Sequence, residues 1–454
     1  MTGILFTIAA FAVAIAILVA VHEYGHFQVA RWSGVRVLRF SIGMGRPVLR
    51  RQGADGTEYV VAALPIGGYV KMLDEREGEV PEDERHRAFN RQPLRRRFAI
   101  VAAGPAANFL FAIAAFAVML MVGVGGLHSV IDEVTADSPA AEADIRPGDR
   151  LVRVNGRDTP TWNSVEQALL PAALDGRTVP VTVERGGTSM DTAISVPRMA
   201  DAAEGAGDLG SWVGMAPERP AIPPVLGEIV SGSPAEAAGL RSGDRILAID
   251  DAPVEDWRAL VQTVQGRPGE SLRIAYERAG ERREVSLRTE EVEGRDGQTH
   301  GRMGAAVEPP GQLPDEYRAV LRQGPIGALI DGGVRTWETS TMTLTILGRM
   351  ITGQASLENL SGPITIAQYA GYTASSGLVQ FLAFLAVVSI SLGIINLLPI
   401  PLLDGGHLMY YCVELAKGSP VSERTEAIGQ QIGIAAIIGL MTLAFYNDLV
   451  RLFQ

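Results

Sequence analysis

Met1 to Val21 contains no charged side chain. At about 1.5 Å per residue, such a run crosses the roughly 30 Å hydrocarbon core of a bilayer as a helix. Lipid offers the backbone no hydrogen-bond partners, so a chain that enters it must satisfy its own N–H and C=O groups. No positive n-region precedes the run, which reads as a span rather than a cleaved signal peptide. Three more charge-free stretches follow. Phe98 to Leu127 is entered through Arg95, Arg96 and Arg97; a third lies at about Gly377 to Asn396 within the uncharged Asn359 to Leu403; a fourth covers about Ala427 to Asn447. Trp337 to Gly353 is apolar on one face, but Glu338 and Arg349 bracket an uncharged run too short to cross, so an interfacial helix is expected there. The chain is expected to be a polytopic α-helical membrane protein with four transmembrane helices.

Basic residues set the direction. Fourteen Arg and Lys lie between Arg31 and Arg97, which places that loop in the cytoplasm and both termini outside. The segment from about His128 to Gln323 is then outside as well. A formal net charge of −11 argues against a nucleic-acid partner, which needs a basic surface. Cys412 is the single cysteine, so an intrachain disulfide and a thiolate metal site are excluded, and Cys412 reads as a small packing residue. Any metal must rest on His, Asp or Glu.

The outer segment repeats itself at an offset of 95 residues: "SPAAEADIRPGDRLVRVNG" from Ser138 and "SPAEAAGLRSGDRILAIDD" from Ser233. Each copy reads as a short helix, a Gly-Asp turn and an alternating strand. The repeat resembles the circularly permuted PDZ domain over roughly 127 to 218 and 222 to 308. That resemblance implies two mainly-β periplasmic domains that take peptide C-termini by strand addition, or that act only as spacers or size filters.

At the end of the first span stands "HEYGH". Residues four apart share a helix face, so His22 and His26 offer two imidazoles to one metal while Glu23 projects beside them. Two imidazoles favour zinc with a third protein ligand and an open position for water, whose proton Glu23 would take and pass to a leaving amine. The alternative is an interfacial pair of polar residues. The candidate third ligand is distant, in "NLLPIPLLDGGHL": Asp404 is the first charged residue after the third span, in backbone made irregular by Pro399, Pro401, Gly405 and Gly406. The first and third spans run the same way, so His26 and Asp404 are expected at one level; otherwise Asp404 is an N-capping residue. His407 reads as a supporting or interfacial residue, and His86, His128 and His300 as surface residues.

H-E-x-x-H on the first span and "LDGGH" after the third together resemble the site-2 family of intramembrane metalloproteases, as do "RFSIGMGRP", "GTEYVVAALPIGGYVKMLDE", "AAGPAANFLFAI", "NLSGPITIA" and "GIINLLPIPLLDGGHLMYY". The resemblance implies His22, His26 and Asp404 as Zn2+ ligands and Glu23 as catalytic acid/base. A helical substrate must be unwound before cleavage. "TEYVVAALPIGGYVKM", Thr57 to Met72, reads on its own as a cytoplasmic hairpin; the resemblance makes it a membrane-associated β segment whose edge, at Gly67, Gly68 and Tyr69, binds substrate as an added strand. Asn396, with Pro399 and Pro401, is assigned to substrate positioning, and Asn108 is a weaker candidate. "DEREGEVPEDERHR", residues 74 to 87, reads as a solvated loop.

The expected organisation is 1–127 with spans one and two, 128–220 and 221–308 as the PDZ copies, 309–376 as a helical connector, and 377–454 with spans three and four. The expected function is cleavage of single-pass inner-membrane proteins after a first protease has removed their outer domains. Anti-sigma factors of the envelope stress response and remnant signal peptides are the implied substrates. The competing reading is a non-catalytic PDZ scaffold in the membrane. A transporter would show related halves with broken spans, and this chain shows none.

Overall fold

The computed structural model describes residues 2–198, 209–294, 298–307, 313–353 and 361–453. Asn359 and Leu360 of "NLSGPITIA" and the expected boundary at 308 lie outside them. Residues 1–124 with 322–454 form one compact unit and 125–321 another.

In the first unit, α1 (Thr2–Trp32) carries the opening apolar run and continues through "HEYGH" without a break. It is followed by β1 (Val37–Gln52) and β2 (Glu58–Met72), two long bent strands that pair with each other twice. Phe40 lies opposite Val70 on one side and Tyr59 on the other, while Arg50 lies opposite Val60. The segments are therefore ordered 64–72, 37–42, 58–62, 47–52, and the 64–72 segment is an edge. The hairpin expected within Thr57 to Met72 turns earlier than that, at Gly53 to Gly56, where Asp55 Oδ1 accepts from Thr57 N at 3.2 Å and Gly56 takes φ 82°. Pro65 does not break β2, because an edge strand does not need its N–H for a second ladder.

The charged run that follows is a loop, but an internally bonded one. Glu75 accepts from Arg91 Nε at 2.7 Å and Asn90 Nδ2 at 2.9 Å. Arg91 first, then Asn90, hold its carboxyl down to about 2. Next, α2 (Leu94–Val122) forms the second span, with Pro105 inside it.

The second unit contains the repeat, framed by β3 (Val124–Leu127) and β18 (Arg318–Leu321), which pair. The first copy runs β4 (Ile131–Val134), α3 (Pro139–Glu142), β5 (Arg150–Val154), β6 (Arg157–Asp158), α4 (Trp162–Asp175), β7 (Thr178–Arg185), β8 (Thr188–Ser195), α5 (Leu209–Val213) and β9 (Met215–Pro217). The second runs β10 (Leu226–Ile229), α6 (Pro234–Ala237), β11 (Arg245–Ile249), β12 (Ala252–Pro253), α7 (Trp257–Gln265), β13 (Ser271–Arg278), β14 (Glu281–Arg288), β15 (Glu290–Glu293), β16 (Thr299–Arg302) and β17 (Ala305–Val307). The sheets match in order, β6-β5-β7-β8 and β12-β11-β13-β14, and β4 pairs with β9 as β10 does with β17.

The repeated letters explain the match. Ser138 and Ser233 cap α3 and α6 with proline following, a helix-start device. Asp149 and Asp244 are buried, and each is gripped by an arginine from the third strand of its sheet. Arg185 Nε and Nη2 reach Asp149 at 2.7 and 2.8 Å, and Arg278 reaches Asp244 at 2.7 and 2.6 Å.

Back in the first unit, α8 (Pro325–Ile351), α9 (Pro363–Ser376), α10 (Leu378–Leu397), α11 (Asp404–Lys417) and α12 (Glu423–Phe453) complete the chain. Among the described residues, four helical segments are long and apolar enough to cross a membrane: Gly3–Trp32, Leu94–Val122, Leu378–Leu397 and Arg424–Arg451. The interfacial helix expected from Trp337 starts twelve residues earlier, at Pro325, because Gly332 lets it lie directly on α2 at Ile113 and Ala117. Lipid tails are as apolar as leucine, so helices in a bilayer associate by close packing at small residues. Glycines accordingly mark the contacts: Gly25 of α1 on Ala103 of α2, Gly393 of α10 on Phe109, and Gly433 of α12 on Pro401.

Candidate metal centre and active site

His22 and His26 lie about ten and six residues before the end of α1, so they sit roughly 15 and 9 Å inside the arginine-rich end of the span. Asp404 comes from the other end of the sequence. After α10 the chain makes a tight reversal, with Leu402 at φ 113°, a strained value for a residue other than glycine. Leu398 N bonds Ile395 O and Ile400 N bonds Leu398 O. Gly405 packs on the carbonyls of Leu397 and Leu398, and Gly406 on Ile400 and Pro401, which folds the Asn396 turn, Pro399 and Pro401 against the start of α11. Asp404 is the first residue of α11; Leu403 occupies the N-cap and no side chain caps the helix. Arg97 of α2 anchors the far half of α11 through Glu414 at 2.5 Å and stacks on Tyr411 at 5.1 Å.

The result is a triangle of donor atoms. His22 Nε2 and His26 Nε2 are 3.2 Å apart, and Asp404 Oδ2 stands 3.1 Å from the first and 3.4 Å from the second. Their side chains are only 12%, 11% and 18% exposed. Asp404 Oδ2 accepts no hydrogen bond. Zinc bound tetrahedrally at about 2.0–2.1 Å needs donors about 3.3 Å apart, so two imidazoles and one carboxylate at these separations fit the ion and leave a fourth position open.

The second span shapes this triangle, which the sequence marked only faintly. His26 Nδ1 lies 2.8 Å from Ile100 O, and His22 Nδ1 lies 3.1 Å from Asn108 Nδ2. Asn108 is fully buried, and Ser389 of α10 donates to its backbone carbonyl at 2.9 Å. Gly104 faces the histidines so closely that a Cβ there would stand 2.6 Å from His26 Cε1 and 2.9 Å from His22 Cε1. Pro105 removes an N–H from the helix ladder one residue further on. The readable signal was "GPAAN": glycine, proline and asparagine together inside a span.

Among the substrate-binding candidates, Gly68 lies against the site. A Cβ on it would come within 2.9 Å of Glu23 Cγ and 2.7 Å of Val19 Cγ1. Gly67 takes φ 72°, and Tyr69 accepts from Arg39 Nη1 at 2.9 Å on the same edge segment. Asn396 is half-buried and Pro399 exposed beside the reversal. His407 is exposed, one turn along α11. Cys412 is exposed too, not a buried packing residue; Tyr411 and Glu414 are the residues of α11 that meet Arg97 of α2.

A zinc-type donor triangle set among membrane-length helices, with a glutamate beside it, defines a metal-dependent hydrolase of the membrane. The family model for peptidase family M50 matches residues 10–440, and the chain belongs to that family. The regulator of sigma-E protease RseP of Escherichia coli K12 is 44% identical over 454 residues, covering all of both chains. Its Salmonella typhimurium 14028s counterpart is 43% identical over 456 residues, again over all of both. A Vibrio cholerae relative named as a zinc metalloprotease is 41% identical over 454 residues and all of both chains. A solved PDZ domain of an SdrC-like protein from Listeria monocytogenes is 15% identical, covers 20% of this chain and 93% of its own, and has a TM-score of 0.17, a likeness too slight to assign a fold. The chain is an intramembrane zinc metalloprotease.

Proposed function

We propose that the protein cleaves the membrane-spanning segments of single-pass proteins whose outer domains a first protease has already removed. The observation that carries this reading is the 3.1–3.4 Å triangle of His22, His26 and Asp404 with Glu23 and the Gly68 strand edge beside it. In it, His22, His26 and Asp404 would hold zinc, which when bound would supply a Lewis acid for the scissile carbonyl and lower the pKa of water to about 7. Glu23 takes the proton of the attacking water and delivers it to the departing amine nitrogen.

The remaining residues hold these groups and the substrate. With Nε2 turned to the metal, each histidine carries its proton on Nδ1 and donates it: His26 to Ile100 O, His22 to the Asn108 amide oxygen. A half-turn of that amide exchanges its O and N and moves nothing else, and Asn108 Oδ1 has no other partner. An unwound substrate pairs with the free edge of 64–72, at Gly67, Gly68 and Tyr69, which exposes the peptide bond that a helix would shield. Asn396, Pro399 and Pro401 bound the other side of the bound strand.

The arginine-rich loop faces the cytoplasm, both termini and the repeats face the periplasm, and the repeats are PDZ domains. Those two repeats differ. In the second, Val230, Trp257, Leu260, Val264, Met303 and Ala305 line an open groove of 310 Å³ between α7 and β17. In the first, Gly210 of α5 lies against the equivalent Trp162. A newly cut hydrophobic peptide end therefore fits the second copy, and an anti-sigma factor or a remnant signal peptide is the class of substrate.

The test uses purified, zinc-loaded protein, a single-pass substrate lacking its outer domain, and Glu23→Gln. Wild type should cut within the membrane segment, and the variant should keep its zinc and not cut. Equal cutting by both removes the assignment. Binding without cutting by either favours the alternative, a non-catalytic PDZ scaffold.

A further inference from the structure

On the other side of the α1–α2 seam from the histidines lies a second concavity, of 910 Å³. Val21, Tyr24 and Trp32 of α1, Phe40 of β1, and Ala103 and Leu110 of α2 are among its walls. Positions 21, 24, 25, 28 and 32 recur at helical spacing on one face of α1, a face that excludes His22, Glu23 and His26. Gly25 seals the seam between the two sites: a Cβ there would stand 2.8 Å from Ala107 Cβ and overlap Ala103 O. The groove is thus not where the scissile chain lies. Its walls are aliphatic and aromatic apart from Tyr24 and Gln28, which bond each other at 3.3 Å.

The groove runs between two membrane-length helices and ends at Trp32, which is 77% exposed. Arg95 stands four residues before Ala99 and eight before Ala103, on the face of α2 that lines the groove. Neighbouring cations are already neutralised: Arg31 pairs with Asp55 at 3.4 Å and Arg97 with Glu414 at 2.5 Å. Arg95 is exposed, and no carboxylate among the described residues pairs with it. Arg96 bonds only the neutral oxygens of Ser33 and Gln92, at 3.2 and 3.0 Å. An apolar trough in the membrane thus ends at two uncompensated guanidinium groups, the combination that suits acyl chains below and a phosphate above.

We propose that this groove binds an anionic glycerophospholipid, its acyl chains between α1 and α2 and its headgroup on Arg95 and Arg96. The inference rests on the reading of α1 and α2 as spans but not on any catalytic assignment.

Trp32 is a built-in reporter. The full chain carrying Trp337→Phe is placed in phosphatidylcholine vesicles with either bromine-labelled phosphatidylglycerol or bromine-labelled phosphatidylcholine, and the Trp32 signal is taken as the difference from Trp32→Phe in the same background. Phosphatidylglycerol should quench Trp32 about thirtyfold more effectively at equal mole fraction, the preference two arginines near the surface supply. Arg95→Gln should cut that preference to the roughly fivefold that Arg96 alone supplies, and Ala106→Leu, which narrows the trough, should weaken quenching by both lipids. Equal quenching by the two lipids, or a preference unchanged in Arg95→Gln, overturns the proposal. So does a Trp32 shielded from both, which would put protein, a second copy or another helix, in the groove.

Discussion

Replacing Gly104 by alanine tests whether the second span shapes the metal centre. The added methyl would stand 2.6 Å from His26 Cε1 and 2.9 Å from His22 Cε1, whereas carbon contacts begin at about 3.5 Å. His26 must therefore retreat by about 0.9 Å or α2 must move away from α1. The ring has no easy retreat, because Nδ1 is tied to Ile100 O on the same helix at 2.8 Å, and α2 is held close to α1 at Gly25. Zinc tolerates ligand-distance errors of about 0.2 Å, so a displacement several times larger removes one of three protein ligands. Loss of a partner that merely orients a ligand costs about 10- to 100-fold in metal affinity, so loss of the ligand itself is expected to cost at least about 100-fold, or about 3 kcal/mol. Competition with a chromophoric chelator in detergent measures that affinity directly, and circular dichroism of the same sample checks that the helices persist. Zinc affinity within threefold of wild type, with the helices intact, would refute the claim that Gly104 is fixed by the histidines it faces.

Asn108→Leu keeps the volume of the buried side chain but leaves His22 Nδ1 without an acceptor; zinc should bind 10- to 100-fold more weakly by the same competition assay. Asp149→Asn leaves Arg185 facing a neutral group in the first repeat, and urea unfolding followed by tryptophan fluorescence should show a loss of about 3 kcal/mol. Burial alone would raise the carboxyls of Asp149 and Asp244, but Arg185 and Arg278, with the amides of Arg146 and Arg241, hold both below their ordinary 3.8. Their stabilisation is therefore complete above that value and drains away as pH falls through it toward the lower folded values, so thermal stability of the repeats should be flat near neutrality and drop below about pH 4. Asp448 of α12 accepts from the amides of Gly362, Ile364 and Thr365 at 2.9, 2.8 and 3.2 Å and so caps α9 from another helix. Asp448→Ala should speed hydrogen exchange at those three amides about tenfold, consistent with roughly 1–2 kcal/mol for a lost cap.

Four apolar helices were legible because a charge-free run of twenty residues has few alternatives in lipid, and their number needed no tertiary information. The convergence of His22, His26 and Asp404 was legible because polar groups stand out in such a setting and because spacing on one helix fixes which side chains share a face. The bent sheet was only half legible. Its β-branched pattern announced strands, but the second pairing of Phe40, with Tyr59, depends on β1 and β2 each bending to be used twice, and no short-range signal encodes that. The early start of α8 was hidden likewise: Asp331 and Arg335 make its first half look soluble, while the contact that holds it is the missing side chain of Gly332 against α2.

Missing side chains shape the site in the same way. A histidine states its chemistry wherever it stands, whereas a glycine means nothing until its neighbour is known. Gly25, Gly104, Gly393 and Gly405 are scattered over almost four hundred residues, yet each lets a backbone approach that brings α1, α2, α10 and the start of α11 around one donor triangle. The same closeness separates the metal site from the lipid-facing groove, since Gly25 is both the point where α1 meets α2 and the wall between them. A larger residue at Gly25 should therefore disturb both sites at once, weakening zinc binding and opening the groove toward His22, whereas enlargement at Ala106, on the groove side alone, should leave zinc affinity unchanged. Separate responses at these two positions are what distinguish a wall from a hinge.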